Sequence, residues 1–136
     1  MASIKIEKQL GETKRAVIKG LVAYNTQRAG KMGYVPVSVS LREKGKIVSG
    51  VVGEIFFGWM FVSLFWIDDK HRGKGFGQRL LEATEAQARK NGVKNVYLDT
   101  FSFQAPGFYK KRGYREFGRL KEYPAGHDRV WMTKAL

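Results

Sequence analysis

Three glycines at alternate positions, Gly73, Gly75 and Gly77, stand among Lys70, Arg72 and Lys74 in the run Asp69-Lys-His-Arg-Gly-Lys-Gly-Phe-Gly77. Positions without a β-carbon let backbone N–H groups come close to a ligand, and a helix that begins there adds the partial positive charge of its N-terminus. The chemistry on offer is capture of a phosphate or similar anion by the backbone. The same residues also suit a flexible strand-to-helix turn with ordinary surface cations. Spacing excludes two nucleotide-binding patterns. The dinucleotide fingerprint Gly-x-Gly-x-x-Gly would need glycine where Gln78 or Leu80 stands, and no Gly-Lys pair in the chain is followed by Ser or Thr, as a P-loop requires.

The chain has no cysteine, so thiolate nucleophiles, disulfides and cysteine-held zinc are excluded, and no metal site is expected. Lys and Arg number 25 against 12 Asp and Glu, a formal charge of +13. That excess attracts anions of some kind: nucleic acid, a membrane surface, an acidic substrate or a polyphosphorylated cofactor. The basic residues are spread over every segment, which equally describes a solvated surface. With 43% hydrophobic and 13% aromatic residues in 136, one globular domain over residues 1–136 is expected. No apolar run has the length of a bilayer span or a signal-peptide core, so a cytoplasmic location without membrane attachment is the simplest reading.

The elements that must position the loop follow from periodicity. Ile4 and Ile6 alternate with polar neighbours as a first strand would, and Gly11 ends the pattern. A helix follows, with Ala16, Val17, Leu21 and Tyr24 at helical spacing. Val35, Val37, Val39 and Leu41 alternate strictly, and Glu43-Lys-Gly-Lys46 turns them into a β-rich run from Ile47 to Phe57. A second turn at Gly58 leads to Met60–Ile67, giving three consecutive antiparallel strands. From Gly75 to Asn91 the residues Phe76, Leu80, Leu81, Thr84 and Ala88 trace one face of a helix, with Gln78, Arg79, Glu82, Glu85 and Lys90 on the other. Asn91-Gly92 stops it, and Asn95–Thr100 begins a strand that the helical crossover should make parallel to the preceding one. Pro106 and Gly113 bracket a short helix around Tyr109. Two closing strands, Tyr114–Phe117 and Arg129–Thr133, are joined by a loop containing His127.

The run Arg72-Gly-Lys-Gly75-Phe-Gly77 resembles the Gln/Arg-x-x-Gly-x-Gly/Ala signature of the GNAT acetyltransferases, placed after a strand and opening a helix as in that family. Downstream, Ser102-Phe-Gln-Ala105-Pro-Gly-Phe108-Tyr109-Lys-Lys-Arg-Gly113-Tyr114 is similar to the family's Asn-x-x-Ala-x-x-Leu-Tyr-x-x-x-Gly-Phe segment. Two departures stand out: Ser102 replaces the asparagine, and Phe108 replaces the aliphatic residue before the tyrosine. The similarity spans essentially the whole chain. It implies a mixed α/β GNAT fold, a mostly antiparallel sheet of about six or seven strands flanked by about three or four helices. The family's fourth and fifth strands run parallel and splay apart.

The resemblance also implies an N-acetyltransferase that uses acetyl-CoA and releases coenzyme A. Its acceptor would be a primary amine on a small molecule, peptide or protein, attacking directly in a ternary complex. The pantetheine arm would lie along the strand ending Phe65-Trp66-Ile67, and backbone from Arg72 through Gly73, Lys74, Gly75, Phe76 and Gly77 to Gln78 would receive the pyrophosphate, with Ser102 and Phe108 as further cofactor contacts. Tyr109 would be the acid that protonates the departing thiolate, and a backbone N–H near Phe65 or Trp66 would meet the oxyanion. For the base, Glu54 stands first, because it lies in an otherwise apolar strand where burial would raise its pKa. Asp99 is next, and His127 is expected toward the substrate. Two competing readings are a basic nucleic-acid-binding module and a GNAT-like protein that holds acyl-CoA without catalysis. A homodimer through aromatic residues of the last strands is a further expectation.

Overall fold

The computed structural model describes all residues, Met1–Leu136. It divides into two compact units, 1–32 and 33–136. In the first, helix α1 spans Gly11–Ala29 and is stopped by Gly30, whose backbone at φ +82° donates its N–H to the Thr26 carbonyl at 3.0 Å. The expected strand at Ile4–Ile6 does not form. Only two apolar residues alternate there among Lys5, Glu7 and Lys8, and a strand needs a neighbour to satisfy its backbone, which this segment does not have.

The second unit carries six strands: β1 (Val35–Glu43), β2 (Lys46–Phe56), β3 (Trp59–Ile67), β4 (Asn95–Phe101), β5 (Arg115–Lys121) and β6 (Asp128–Ala135). Helix α2 (Phe76–Lys90) joins β3 to β4, and the short α3 (Pro106–Lys111) joins β4 to β5. The strand order is β1-β2-β3-β4-β6-β5, antiparallel throughout except for the parallel pair β3–β4. Because the first expected strand is missing, β3 and β4 here stand where the sequence leads us to expect the fourth and fifth strands. Both hairpins that build the first three strands turn on two residues at positive φ, Lys44 with Gly45 and Phe57 with Gly58. Such turns match the twist of the strands they join.

Alternation divides the sheet's faces. Val51, Ile55, Met60, Val62, Val96, Leu98, Val130 and Met132 point to one side and form a core with Leu80, Leu81 and Ala88 of α2. On the other side of β4 lie Tyr97, Asp99 and Phe101. Glu85, expected on the solvent face of its helix, is instead 4% exposed. Lys134 of β6 donates to both of its oxygens at 3.0 and 3.1 Å, and the Tyr114 hydroxyl donates to it at 2.7 Å. A carboxylate is tolerated at such depth only with partners of this kind. Burial and the Glu85 hydrogen bond drive the Tyr114 phenol far above its usual range. No helix is long and apolar enough to cross a membrane.

Candidate active site

The site opens where β3 leaves β4. Their pairing runs only from Trp59 opposite Asn95 to Val62 opposite Leu98, although β3 continues to Ile67 and β4 to Phe101. A β-bulge lies at the point of departure. On β2, Val52 faces Leu64 while its neighbour Gly53 faces Val62, so Ser63 is the extra residue, and its hydroxyl donates to the Val52 carbonyl at 3.1 Å. A bulge bends its strand and raises local twist. Here it turns the end of β3 away from β4, while β4 stays paired with β6 as far as Phe101 opposite Arg129. On the β4 side, the end of β3 therefore presents backbone polar groups without a strand partner.

A cavity of about 910 Å³ fills this opening, lined by residues 62–67 of β3 and by residues of β4, the glycine loop and α3. Phe65, Phe108 and Tyr109 stand edge-on to one another at its wall, with centroid separations of 5.2–6.2 Å. The cavity touches both faces of the sheet. Gly73, Gly75, Gly77 and Tyr109 line it from the side that carries the helices, and Asp99, Phe101 and Arg129 line it from the other.

The three loop glycines serve two purposes. Gly73 at φ +73° and Gly75 at φ +82° take left-handed backbone, which side chains with a β-carbon resist, and nothing crowds either of them. Gly77 is needed for space: a β-carbon there would meet Phe108 Cε1 at 3.1 Å and Cζ at 3.3 Å. Gly75 is the residue preceding α2, and no side chain caps the helix. The first intrahelical bond is donated by Arg79 to the Gly75 carbonyl, so the N–H groups of the first turn have no partner within the helix. No acidic residue lies in that turn. Arg72, also on the cavity wall, is braced by its Nε donating to the Ile67 carbonyl at 3.1 Å.

Tyr109 is 7% exposed, and burial, with a smaller effect from the Asp99 charge, pushes its phenol up to about 12. It therefore keeps its proton at neutral pH. Asp99 Oδ1 receives hydrogen bonds from Arg129 Nε and an ion pair from its terminal nitrogen, both at 2.7 Å. Arg129 also donates to the Tyr123 hydroxyl at 3.0 Å.

Of the residues singled out from the sequence, Phe65, Trp66, Ile67, Arg72, Gly73, Gly75, Gly77, Gln78, Asp99, Phe108 and Tyr109 line this one cavity. Lys74, Phe76, Glu54, Ser102 and His127 do not. Glu54 sits on β2 opposite Phe61, and its charge raises the Tyr97 phenol, second to burial. The Ser102 hydroxyl accepts the Asp128 N–H at 2.9 Å and so ties the loop after β4 to the start of β6. His127, in the β5–β6 loop, meets the Phe103 ring edge-on at 5.0 Å.

Sequence reasoning missed Arg112, Phe101, Phe103 and Arg129. Arg112 stacks on Phe108 at 3.9 Å and donates to the Phe108 carbonyl at 2.9 Å and to Gln78 at 3.3 Å, clamping α3 to the first turn of α2. Its position in the Tyr-x-x-x-Gly segment is an unspecified one, and no sequence signal marks it. Phe101 and Arg129 could have been found from the alternation of their strands, which puts both on the face of Asp99.

Residues 21–116 match the family model described as Acetyltransferase (GNAT) domain. The chain is 41% identical to a blasticidin-S acetyltransferase of Streptomyces morookaense over 95 residues, 69% of this chain and 70% of that one. It is 31% identical to an acetyltransferase of Agrobacterium fabrum over 124 residues, 90% of each. The crystal structure of an acetyltransferase from Bacillus cereus superposes with a TM-score of 0.88 at 34% identity, covering 98% of both chains.

Proposed function

Because this chain belongs to the GNAT family of acetyltransferases, its donor is acetyl-CoA, and we propose that it transfers the acetyl group to a primary amine of a small molecule by direct attack within a ternary complex. The observation that carries this reading is the single cavity in which the glycine loop, the free edge of β3 and the Tyr109 side chain meet.

The residues present fit the donor. The left-handed backbone at Gly73 and Gly75 and the uncapped first turn of α2 offer N–H groups to a pyrophosphate, and Arg72 adds charge. The edge of β3 released by the Ser63 bulge offers backbone partners to an amide-bearing arm. Bound acetyl-CoA supplies the activated acyl group and a thiol leaving group.

The chain's own residues then divide the work. Phe65 and Phe108 exclude water from the wall beside Tyr109, which strengthens polar interactions there. Tyr109 holds its proton at neutral pH and donates it toward the leaving sulfur. A β3 backbone N–H near Phe65 or Trp66 stabilises negative charge on the acyl oxygen. The incoming amine must lose a proton. Asp99 is the carboxylate on the cavity wall, with one oxygen held by Arg129, and Glu54 stands one strand further off. Asp99 is therefore the preferred acceptor of that proton, directly or through water. A small-molecule acceptor accords with the substrate in the name of the Streptomyces relative.

The test is release of free thiol from acetyl-CoA across a panel of amines, wild type against Tyr109→Phe. The expected result is turnover with at least one amine, and a fall in kcat of about 100-fold in the variant with acetyl-CoA affinity nearly unchanged. Equal kcat in the two proteins would remove the acid role.

A further inference from the structure

The wall of the cavity on the Asp99 side is aromatic. Phe101 and Phe103 stack nearly parallel, with centroids 5.3 Å apart and planes 11° from each other. Tyr123 leans on Phe101 at 5.6 Å, and His127 meets Phe103 edge-on at 5.0 Å. The loops that carry these rings are stitched together. Ser102 N–H donates to the Asp128 carbonyl at 2.8 Å, Asp128 N–H returns to Ser102 Oγ at 2.9 Å, and Tyr123 N–H donates to the His127 carbonyl at 2.8 Å. The rings are thus held in place by backbone and by one another, yet Phe103 is 55% exposed and lines the cavity. A preorganised ring face left open beside a reaction cleft is costly to hydrate and suits a flat partner.

Charge narrows the partner. The charged side chains of the cavity wall beside these rings are Arg129 and a single carboxylate, Asp99, paired with each other, while Arg72 and Arg112 lie toward the glycine loop and the first turn of α2. A polycationic acceptor such as a polyamine would find no free acid there to hold its additional charges. We infer, building on the acetyltransferase reading, that the acceptor is an amine carried on a planar unsaturated ring with no second positive charge. The ring lies against Phe103 and Phe101 while the amine reaches past Asp99 into the gap between β3 and β4. Phe103 is then a specificity-determining residue.

The experiment pairs two amines that differ in ring planarity, 2-phenylethylamine and 2-cyclohexylethylamine, with spermidine as a polycation. Calorimetric titration into wild-type enzyme saturated with coenzyme A reads binding apart from turnover. The aromatic amine should bind about tenfold more tightly than the cyclohexyl amine, the order of a ring-stacking contribution, and spermidine should bind least. Phe103→Leu, at an exposed loop position, should keep the fold and the affinity for coenzyme A while cutting the tenfold preference to less than threefold. Phe103→Trp should restore it. Equal binding of the two ring amines, preferred binding of spermidine, or no saturable binding of 2-phenylethylamine at millimolar concentration would overturn the inference. Turnover of spermidine alone would do so while leaving the acetyltransferase reading intact. Failure of coenzyme A itself to bind would overturn both.

Discussion

Gly77→Ala tests whether the loop and the tyrosine helix are one mechanical unit. A methyl at residue 77 would sit 3.1 Å from Phe108 Cε1 and 3.3 Å from Cζ, several tenths of an ångström inside comfortable contact. The ring cannot simply swing away, because Arg112 covers it at 3.9 Å and Phe65 stands edge-on to it at 5.9 Å. Overpacking of this kind costs about 1–3 kcal/mol. Replacing glycine by alanine within a helix returns about 0.5–1 kcal/mol. At the midpoints of these ranges the net destabilisation is about 1 kcal/mol, a drop in Tm of about 4 °C for a chain of this size. Phe108→Leu removes the atoms that clash and puts an aliphatic residue where the family carries one. The double variant should therefore be more stable than the sum of the single changes by about 1 kcal/mol. Thermal melts of the four proteins, followed by circular dichroism, give the answer. A Gly77→Ala protein as stable as wild type, or strict additivity in the double variant, would refute the packing of Phe108 on the loop.

Two further predictions concern buried groups. The Tyr109 phenol is raised in the folded state from its ordinary value of 10 to about 12, so its contribution to stability is fully present below pH 10 and is lost as the pH climbs from about 10 to about 12. Two pKa units correspond to about 3 kcal/mol. Tyr109→Phe should thus lose stability more shallowly than wild type across that window, and parallel denaturant curves from pH 9 to 12 would contradict this. Glu85→Ala should cost about 3–5 kcal/mol in urea unfolding, because Lys134 is left with an unpaired charge and Tyr114 without its acceptor. A loss below 1 kcal/mol would mean that the pair is hydrated.

Much of the fold was legible because its signals are local. Strict alternation at Val35–Leu41, the turn residues at Lys44–Gly45 and Gly58, and the apolar face of α2 each report on a few consecutive residues, and the structure shows the corresponding elements. The first strand failed because Ile4 and Ile6 signal alternation but not a partner. Glu85 failed because its partners lie 29 and 49 residues away in the chain, at Tyr114 and Lys134. For the site, glycines with basic neighbours marked the loop, and the second motif marked Tyr109. The Ser63 bulge that opens the gap has no sequence signature, since it depends on the register between β2 and β3. Arg112 was hidden for the same reason, because its role arises from packing between α3 and α2, which no periodicity connects, whereas Phe101 was within reach of strand alternation and only its stacking with Phe103 in the loop beyond was not.

Whether the loop from Asp69 to Gly77 holds the pyrophosphate of acetyl-CoA is decided by titrating wild type, Gly75→Ala and Gly75→Glu with acetyl-CoA. Both substitutions force a β-carbon onto backbone at φ +82° where nothing crowds it, so both carry the same strain of about 1–2 kcal/mol. Only glutamate adds a carboxylate where the phosphate would sit. Gly75→Ala should weaken binding by no more than about tenfold, and Gly75→Glu, still folded, by more than about 100-fold, with a smaller penalty at high salt. Equal affinities of the alanine and glutamate variants would contradict that placement of the pyrophosphate.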